Sequence, residues 1–143
     1  MKTAVFSARR YDKTMLTRAN VGAGHELRFF EDRLTNPTAA LADGCEAVCV
    51  FVNDNVDAEV LAILARQGTR LVATRSTGYN QIDVAAADAL GIAVVRVTDY
   101  SPHSVAEFAA GLLLAVNRKI ARASTRTRDG NFDLEGLMGF DLH

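Results

Sequence analysis

LVATRSTGYNQID, residues 71–83, contains a β-strand, a glycine loop and the start of a helix. Residues 71–74 form an apolar run typical of a strand, and an alanine-rich segment, residues 84–90, follows the loop. Free backbone N–H groups in such a loop and in the first helical turn can bind an anion, and glycine allows close approach. Strand–glycine–helix turns are also common as purely structural connections, so spacing alone leaves both interpretations open.

The same alternation of strand and helix patterns extends on both sides of this unit. Apolar runs predict five strands, at residues 2–7, 25–30, 47–52, 71–74 and 92–97. Helical patterns between them lie at about residues 12–19, 35–41, 57–67 and 84–90. This rhythm predicts an α/β fold: a flavodoxin-like, doubly wound parallel sheet of five strands in the order 2-1-3-4-5. Ligands of such sheets bind at the carboxyl ends of the strands.

A different character begins after residue 100. Ser101-Pro102 predicts the start of a long helix, and Ser104-x-x-Glu107 matches a capping box. Val105, Phe108 and Leu112 share an apolar stripe on this helix. Residues 121–129 contain three arginines and are therefore basic. We therefore expect residues 1–100 to form the flavodoxin-like domain and residues 101–143 to form interdomain helices that reach toward an absent partner domain.

Composition excludes several classes of function. The 143 residues are 49% hydrophobic and 23% charged, with a formal net charge of -1, so no basic excess favours nucleic-acid binding. No long uncharged apolar run predicts a membrane span, and the N-terminus resembles a strand rather than a signal peptide. Two cysteines are too few for a disulfide framework. The expected location is cytoplasmic, without nucleic-acid or membrane partners.

Other site chemistries are disfavoured by their surroundings. Cys45-x-x-x-Cys49 lacks a nearby histidine, so we predict core packing for Cys49 and no metal site. Asp54 follows the third strand, as a phosphate-accepting aspartate would, but residues 7–10, SARR, replace the acidic pair that such a site needs. The same SARR segment is a poor flavin loop. We expect the three histidines to be solvated and non-catalytic.

Several segments together carry a family resemblance. They are GCEAVCVFVND at residues 44–54, RSTGYNQID at 75–83, VRVTDYSP at 95–102, VAE at 105–107, NR at 117–118 and RTRDGNF at 126–132. With these segments the chain resembles the N-terminal part of a D-2-hydroxyacid dehydrogenase, and within that family most closely the D-lactate dehydrogenases. The resemblance extends over essentially all 143 residues.

The resemblance implies a two-domain oxidoreductase in which a flavodoxin-like part binds substrate and a Rossmann part binds NAD. The backbone N–H groups of Thr77 and Gly78 match those that hold the substrate carboxylate. Tyr100 matches a tyrosine lining the substrate pocket, and Phe51 matches an aromatic position near the substrate's methyl end. Val105 matches a residue that contacts the nicotinamide ring. Phe51 could also be a core residue, and Val105 also belongs to the apolar stripe of its helix.

The family's catalytic arginine, glutamate and histidine, and its Gly-x-Gly-x-x-Gly loop, match no position in this sequence. We therefore expect a fragment that is inactive alone and whose longer parent interconverts pyruvate and D-lactate, or a similar acid pair, as a homo-oligomer. We predict no catalytic residue in this chain. The alternative is a free-standing, non-catalytic binding or regulatory module with a flavodoxin-like fold, which predicts a monomer without an exposed apolar stripe.

Overall fold

A computed structural model describes every residue from Met1 to His143 and divides the chain into two compact units, Met1–Asp99 and Tyr100–His143. The first unit contains all of the strands. They are β1 (Lys2–Val5), β2 (Glu26–Phe29), β3 (Ala47–Val50), β4 (Leu71–Thr74) and β5 (Ala93–Arg96). β4 coincides with its predicted run, and each of the other four strands is shorter than its run, because the ends of those runs turn into loops.

The strands form one parallel sheet in the order β2-β1-β3-β4-β5, which confirms the predicted fold class and strand order. Successive residues stay in register across the sheet: Val5 lies beside Phe29 and Cys49, and Val50 beside Thr74. Because all five strands run the same way, the loops after β1, β2, β3 and β4 meet at one edge. That edge is the predicted ligand-binding rim.

The first unit contains three α-helices and one 3₁₀ helix. They are α1 (Arg10–Ala19), a 3₁₀ helix at Asn36–Ala42, α2 (Ala58–Arg66) and α3 (Val84–Ala89). Helix α1 begins two residues before the predicted start at about residue 12. Asp57 accepts a hydrogen bond from the Val60 N–H at 2.9 Å and so caps α2; Asp83 caps α3 in the same way.

The hydrophobic core is a single cluster that joins the sheet to these helices. Its largest fully buried side chains include Phe6, Leu34, Leu61 and Leu64, together with valines of β3 and β4. Phe6 stacks on Phe30 with ring centroids 5.2 Å apart. This packing fixes the positions from which the rim loops start.

The second unit contains α4 (Pro102–Asn117) and α5 (Ile120–Arg128), which are separated at Lys119, a residue with a left-handed backbone (φ 54). The predicted capping box at Ser104 and Glu107 is wrong. Pro102 opens the helix and Ser101 is its N-cap, so Ser104 lies inside the first turn and donates its hydroxyl to Ser101 Oγ at 3.0 Å. Proline favours this start because it has no N–H to satisfy.

The segment after α5 is held against the helices of its own unit by side chains. Asn117, which is buried, donates Nδ2–H to the Phe140 carbonyl and accepts from the Phe140 N–H. Arg126 donates to the carbonyls of Asp133 and Glu135. The tail is therefore ordered by hydrogen bonds without being part of a helix or strand. No helix in the structure has both the length and the apolar content needed to cross a membrane.

Candidate functional site

The loop after β4 keeps its carbonyl groups occupied and its N–H groups free. The Ser76 carbonyl accepts from the Val97 N–H at 3.2 Å, and the Thr77 carbonyl accepts from Arg96 Nη1 at 2.9 Å. The Gly78 carbonyl accepts from the Ser76 hydroxyl at 2.7 Å. The N–H groups of Thr77 and Gly78 donate to no acceptor in the chain. Because the carbonyls of Ser76, Thr77 and Gly78 are bonded, the backbone at Thr77 and Gly78 offers donors to a ligand, as an anion site requires.

Side chains fix the shape of this loop. Ser76 Oγ lies 2.7 Å from Thr74 Oγ1, which in turn accepts from the Gln81 side-chain amide at 3.1 Å. Arg96, besides bonding the Thr77 carbonyl, places its guanidinium 5.4 Å from the centre of the Tyr79 ring. Thr74 belongs to β4 and Arg96 to β5, so two strands hold the loop in place and it is pre-organised rather than shaped by its ligand.

Gly78 leaves space above the loop. It has no left-handed backbone, and a Cβ atom built there would meet nothing within 4 Å. Neither backbone strain nor packing against this chain therefore requires glycine at this position. What glycine does provide is unobstructed access to the Thr77 and Gly78 N–H groups.

Arg75, directly before the loop, ties together three neighbouring strand ends. Its guanidinium donates to the Phe6 carbonyl at 3.0 Å and lies 3.4 Å from the Cys49 carbonyl. Its Nε is 3.4 Å from Asp12 Oδ1, in an ion pair whose side chains are 15% and 13% exposed. Its Cζ lies 5.4 Å from the centre of the Phe51 ring. Because it faces mainly backbone carbonyls and one carboxylate, its charge is compensated within the protein and serves to position the loop.

Cys49 is half-buried and lies beside the Arg75 guanidinium, outside the buried core in which it was predicted to pack. Burial raises the pKa of its thiol, although the neighbouring Arg75 guanidinium acts in the opposite direction. A raised pKa keeps the sulfur protonated at neutral pH, so Cys49 is a poor nucleophile or metal ligand. No group of three or more His, Cys, Asp or Glu side chains is placed to hold a metal ion.

Asp54 connects the loops that follow the first three strands. Its carboxylate accepts from the Ser7 hydroxyl at 2.6 Å, from the Leu34 N–H at 2.9 Å and from the Phe51 N–H at 2.6 Å. Asp54 is only 3% exposed. Ser7 has a left-handed backbone, φ 51, and its hydrogen bond to Asp54 helps to stabilise that conformation. The sequence pattern around Asp54 indicates only the position of a possible phosphate acceptor and gives no sign of this structural role, because its partners lie 20 and 47 residues away.

The predicted site residues fall into both units. Thr77 and Gly78 are on the rim of the first unit, and Phe51 is on the same rim, half-buried under the Arg75 guanidinium. Tyr100 and Val105 belong to the second unit, where their side chains are 56% and 55% exposed. The structure thus brings Thr77, Gly78 and Phe51 to one edge of the sheet.

Comparison with known proteins gives a consistent result. Residues 3–132 match the family model of the D-isomer specific 2-hydroxyacid dehydrogenase catalytic domain. D-lactate dehydrogenase of Escherichia coli (strain K12) is 50% identical over 143 residues, all of this chain and 44% of that protein. The apo structure of the D-lactate dehydrogenase from Escherichia coli superimposes with a TM-score of 0.92 at 51% identity, covering 98% of this chain and 44% of that one.

A structure of D-lactate dehydrogenase with NAD+ from Lactobacillus jensenii is more distant. It has a TM-score of 0.71 at 27% identity and covers 98% of this chain and 43% of that one. In each of these comparisons the chain spans less than half the length of the protein it matches.

Proposed function

Because this chain belongs to the D-isomer specific 2-hydroxyacid dehydrogenase family, we propose that it is the substrate-binding N-terminal part of a longer NAD-dependent D-lactate dehydrogenase. That enzyme interconverts pyruvate and D-lactate by hydride transfer. The observation that carries the proposal is the loop after β4, where the carbonyls of residues 76–78 are bonded while the N–H groups of Thr77 and Gly78 are free.

In this proposal the two N–H groups bind the substrate carboxylate. They are fixed before the ligand arrives, so the acid is oriented without further cost in loop entropy. Phe51, held by Arg75 on one face, forms an apolar wall near the methyl end of the acid. Tyr100 lines the pocket in the longer protein, as the family resemblance assigns it. No residue of this chain is assigned a proton-transfer role.

NAD supplies or accepts the hydride when it is bound to the longer protein. Of this chain, we assign only Val105 to it. Val105 lies in the first turns of α4 and its aliphatic side chain is more than half exposed, which suits contact with the flat face of a nicotinamide ring.

We further propose that residues 1–100 act as the substrate domain and residues 101–143 as interdomain helices. Support comes from α4, where Val105, Phe108 and Leu112 are 55%, 68% and 50% exposed. An apolar stripe of this kind is typical of a surface that another domain or subunit covers. The homo-oligomeric state expected for the parent protein would provide one such cover.

The carboxylate role predicts a specific NMR result. Titration of the ¹⁵N-labelled chain with D-lactate should shift the backbone N–H signals of Thr77 and Gly78 downfield, because charge-assisted hydrogen bonds form at these groups. The buried Val72 and Ala4 amides, which take part in the sheet, serve as internal controls and should stay in place. An unchanged pair of loop signals at saturating D-lactate would contradict the proposal.

The domain assignment predicts how activity is divided. These 143 residues alone should show no pyruvate-dependent oxidation of NADH, since neither the glycine fingerprint nor a candidate proton donor is among them. A longer protein that contains this sequence should show such oxidation, measured by absorbance of NADH. Turnover by the chain alone would overturn the assignment.

A further inference from the structure

A cavity lies at the carboxyl edge of the sheet, near the ends of β1, β2 and β3. It has a volume of about 160 Å³ and is lined in part by Arg9, Tyr11, Arg33, Phe51 and Asn53. These residues follow the first three strands, so the topology alone brings them to the carboxyl edge of the sheet. Nothing in the proposed function uses the two arginines.

The positive charge facing this cavity exceeds the negative charge, because two arginines and one glutamate line it. Neither Arg9 nor Arg33 has a side-chain ion pair or hydrogen bond within the protein. Glu31 also lines the cavity, but its carboxylate is bonded to Lys13 Nζ at 2.8 Å. Two guanidinium groups thus remain free to bind an anion that enters the cavity.

Asp12, the other carboxylate close to Arg9, is occupied as well. Its Oδ2 accepts from the Arg9 backbone N–H at 2.9 Å, and its Oδ1 pairs with Arg75. Asp12 thus caps α1 and neutralises Arg75, and it leaves the Arg9 guanidinium unpaired.

The cavity is adjacent to the proposed substrate site through Phe51. This side chain lines the cavity, and its ring also faces the Arg75 guanidinium, one residue before the carboxylate loop. Neighbouring strands β3 and β4 lie about 5 Å apart. Phe51 follows β3 and the carboxylate loop follows β4, so the cavity lies on the same stretch of the rim as the proposed substrate site.

We propose that this cavity binds a carboxylate group, with Arg9 and Arg33 as its cationic partners and Tyr11 and Asn53 as further donors. The planar guanidinium groups match the two oxygens of a carboxylate. The ligand is a small dicarboxylic acid; pyruvate has no group that fills this site. If the carboxylate in the cavity is the far end of the substrate, the inference rests on the proposed function. If that carboxylate belongs to a separate ion, the inference is independent of the proposed function.

The test is an NMR titration of the ¹⁵N-labelled chain with D-malate, D-lactate and succinate at constant ionic strength. D-malate should shift the Nε–H signals of Arg9 and Arg33 together with the amides of Thr77 and Gly78, and should bind at least about fivefold more tightly than D-lactate. This result would show that the group in the cavity is the far carboxylate of the substrate. Succinate shifts confined to the two arginines identify a separate ion instead. Arginine signals that respond to none of the three acids overturn the inference.

Matched variants separate a built site from general electrostatics. Arg33→Gln and Arg9→Gln should each lower the D-malate affinity about fivefold and leave that of D-lactate unchanged, because only the second carboxylate loses a partner. Arg66→Gln, which removes the same charge from an exposed position in the last turn of α2, should have no effect. Equal losses in all three variants would refute a specific site.

The outcomes also separate this inference from the proposed function. If D-lactate shifts the Thr77 and Gly78 amides while the arginines stay silent in every titration, the proposed function stands and the inference fails. If succinate shifts the arginines but no acid shifts the loop amides, the carboxylate cavity stands and the substrate-binding proposal fails.

Discussion

Asp54→Ala should lower the free energy of unfolding of the chain by about 3–5 kcal/mol, because it leaves buried hydrogen-bond donors without acceptors. The Leu34 and Phe51 N–H groups and the Ser7 hydroxyl all donate to this one carboxylate. A buried N–H left without an acceptor costs about 1–3 kcal/mol, and here two are left at once. Since small domains are stable by only about 5–15 kcal/mol, the loss is a large fraction of the total.

Urea denaturation followed by circular dichroism measures this change. Asp88→Ala is the matched control, since Asp88 is exposed in α3 and its side chain forms no hydrogen bond in the chain. The control should change the unfolding free energy by less than about 0.5 kcal/mol. If Asp54→Ala changed the unfolding free energy as little as the control, the three hydrogen bonds to Asp54 would not stabilise the fold. The rim loops would then be positioned by packing of the hydrophobic core alone.

The same contacts explain why the functional rim is rigid. Asp54 joins the loops after β1, β2 and β3, and Arg75 joins the ends of β1 and β3 to the loop after β4. The two side chains thus connect four consecutive strand ends without any regular secondary structure. A pre-organised rim of this kind loses little entropy when a small acid binds.

The fold followed from the sequence because its signals are local. Each strand lies within an apolar run, and each of α2 and α3 begins at an aspartate that caps it. Handedness and the ligand rule for parallel sheets then limit the strand order and the position of the site. The same rules led to the prediction of a site at Thr77 and Gly78, which stays a prediction.

What the sequence did not reveal depends on contacts between distant residues. Arg75 meets the Phe6 carbonyl across 69 positions, and Asp54 meets Ser7 across 47. No spacing pattern encodes such pairs. The capping-box prediction failed for a different reason: two local signals competed, and the proline at 102 determined the start of the helix ahead of Ser104.

The exposed stripe of α4 bears on the alternative of a free-standing module. A module of that kind should be a monomer with a polar surface, whereas Phe108 is 68% exposed on an apolar helix face. Apolar patches of this extent usually mark surfaces that are covered by another domain or chain. The stripe therefore favours a part of a larger assembly over a self-contained binding module.

Gly78→Ala should remove substrate binding without harming the fold. The backbone at Gly78 is not left-handed and a Cβ meets nothing within 4 Å, so alanine fits, and the unfolding free energy should stay equal or rise by up to about 1 kcal/mol. The new methyl group would occupy the space beside the two free N–H groups. Losing one or two charge-assisted hydrogen bonds to the carboxylate should lower D-lactate affinity, and kcat/KM in the longer protein, by about 10- to 100-fold.

Gly111→Ala is the control that isolates this effect. Gly111 lies within α4, its added Cβ also meets nothing within 4 Å, and alanine favours the helix by about 1 kcal/mol. Both variants should therefore fold at least as well as the parent chain, and only Gly78→Ala should lose the D-lactate response of the Thr77 amide. A stable Gly78→Ala chain that still binds D-lactate with unchanged affinity would show that the carboxylate does not approach this loop, because a ligand held by these two N–H groups has to lie where the methyl group would be.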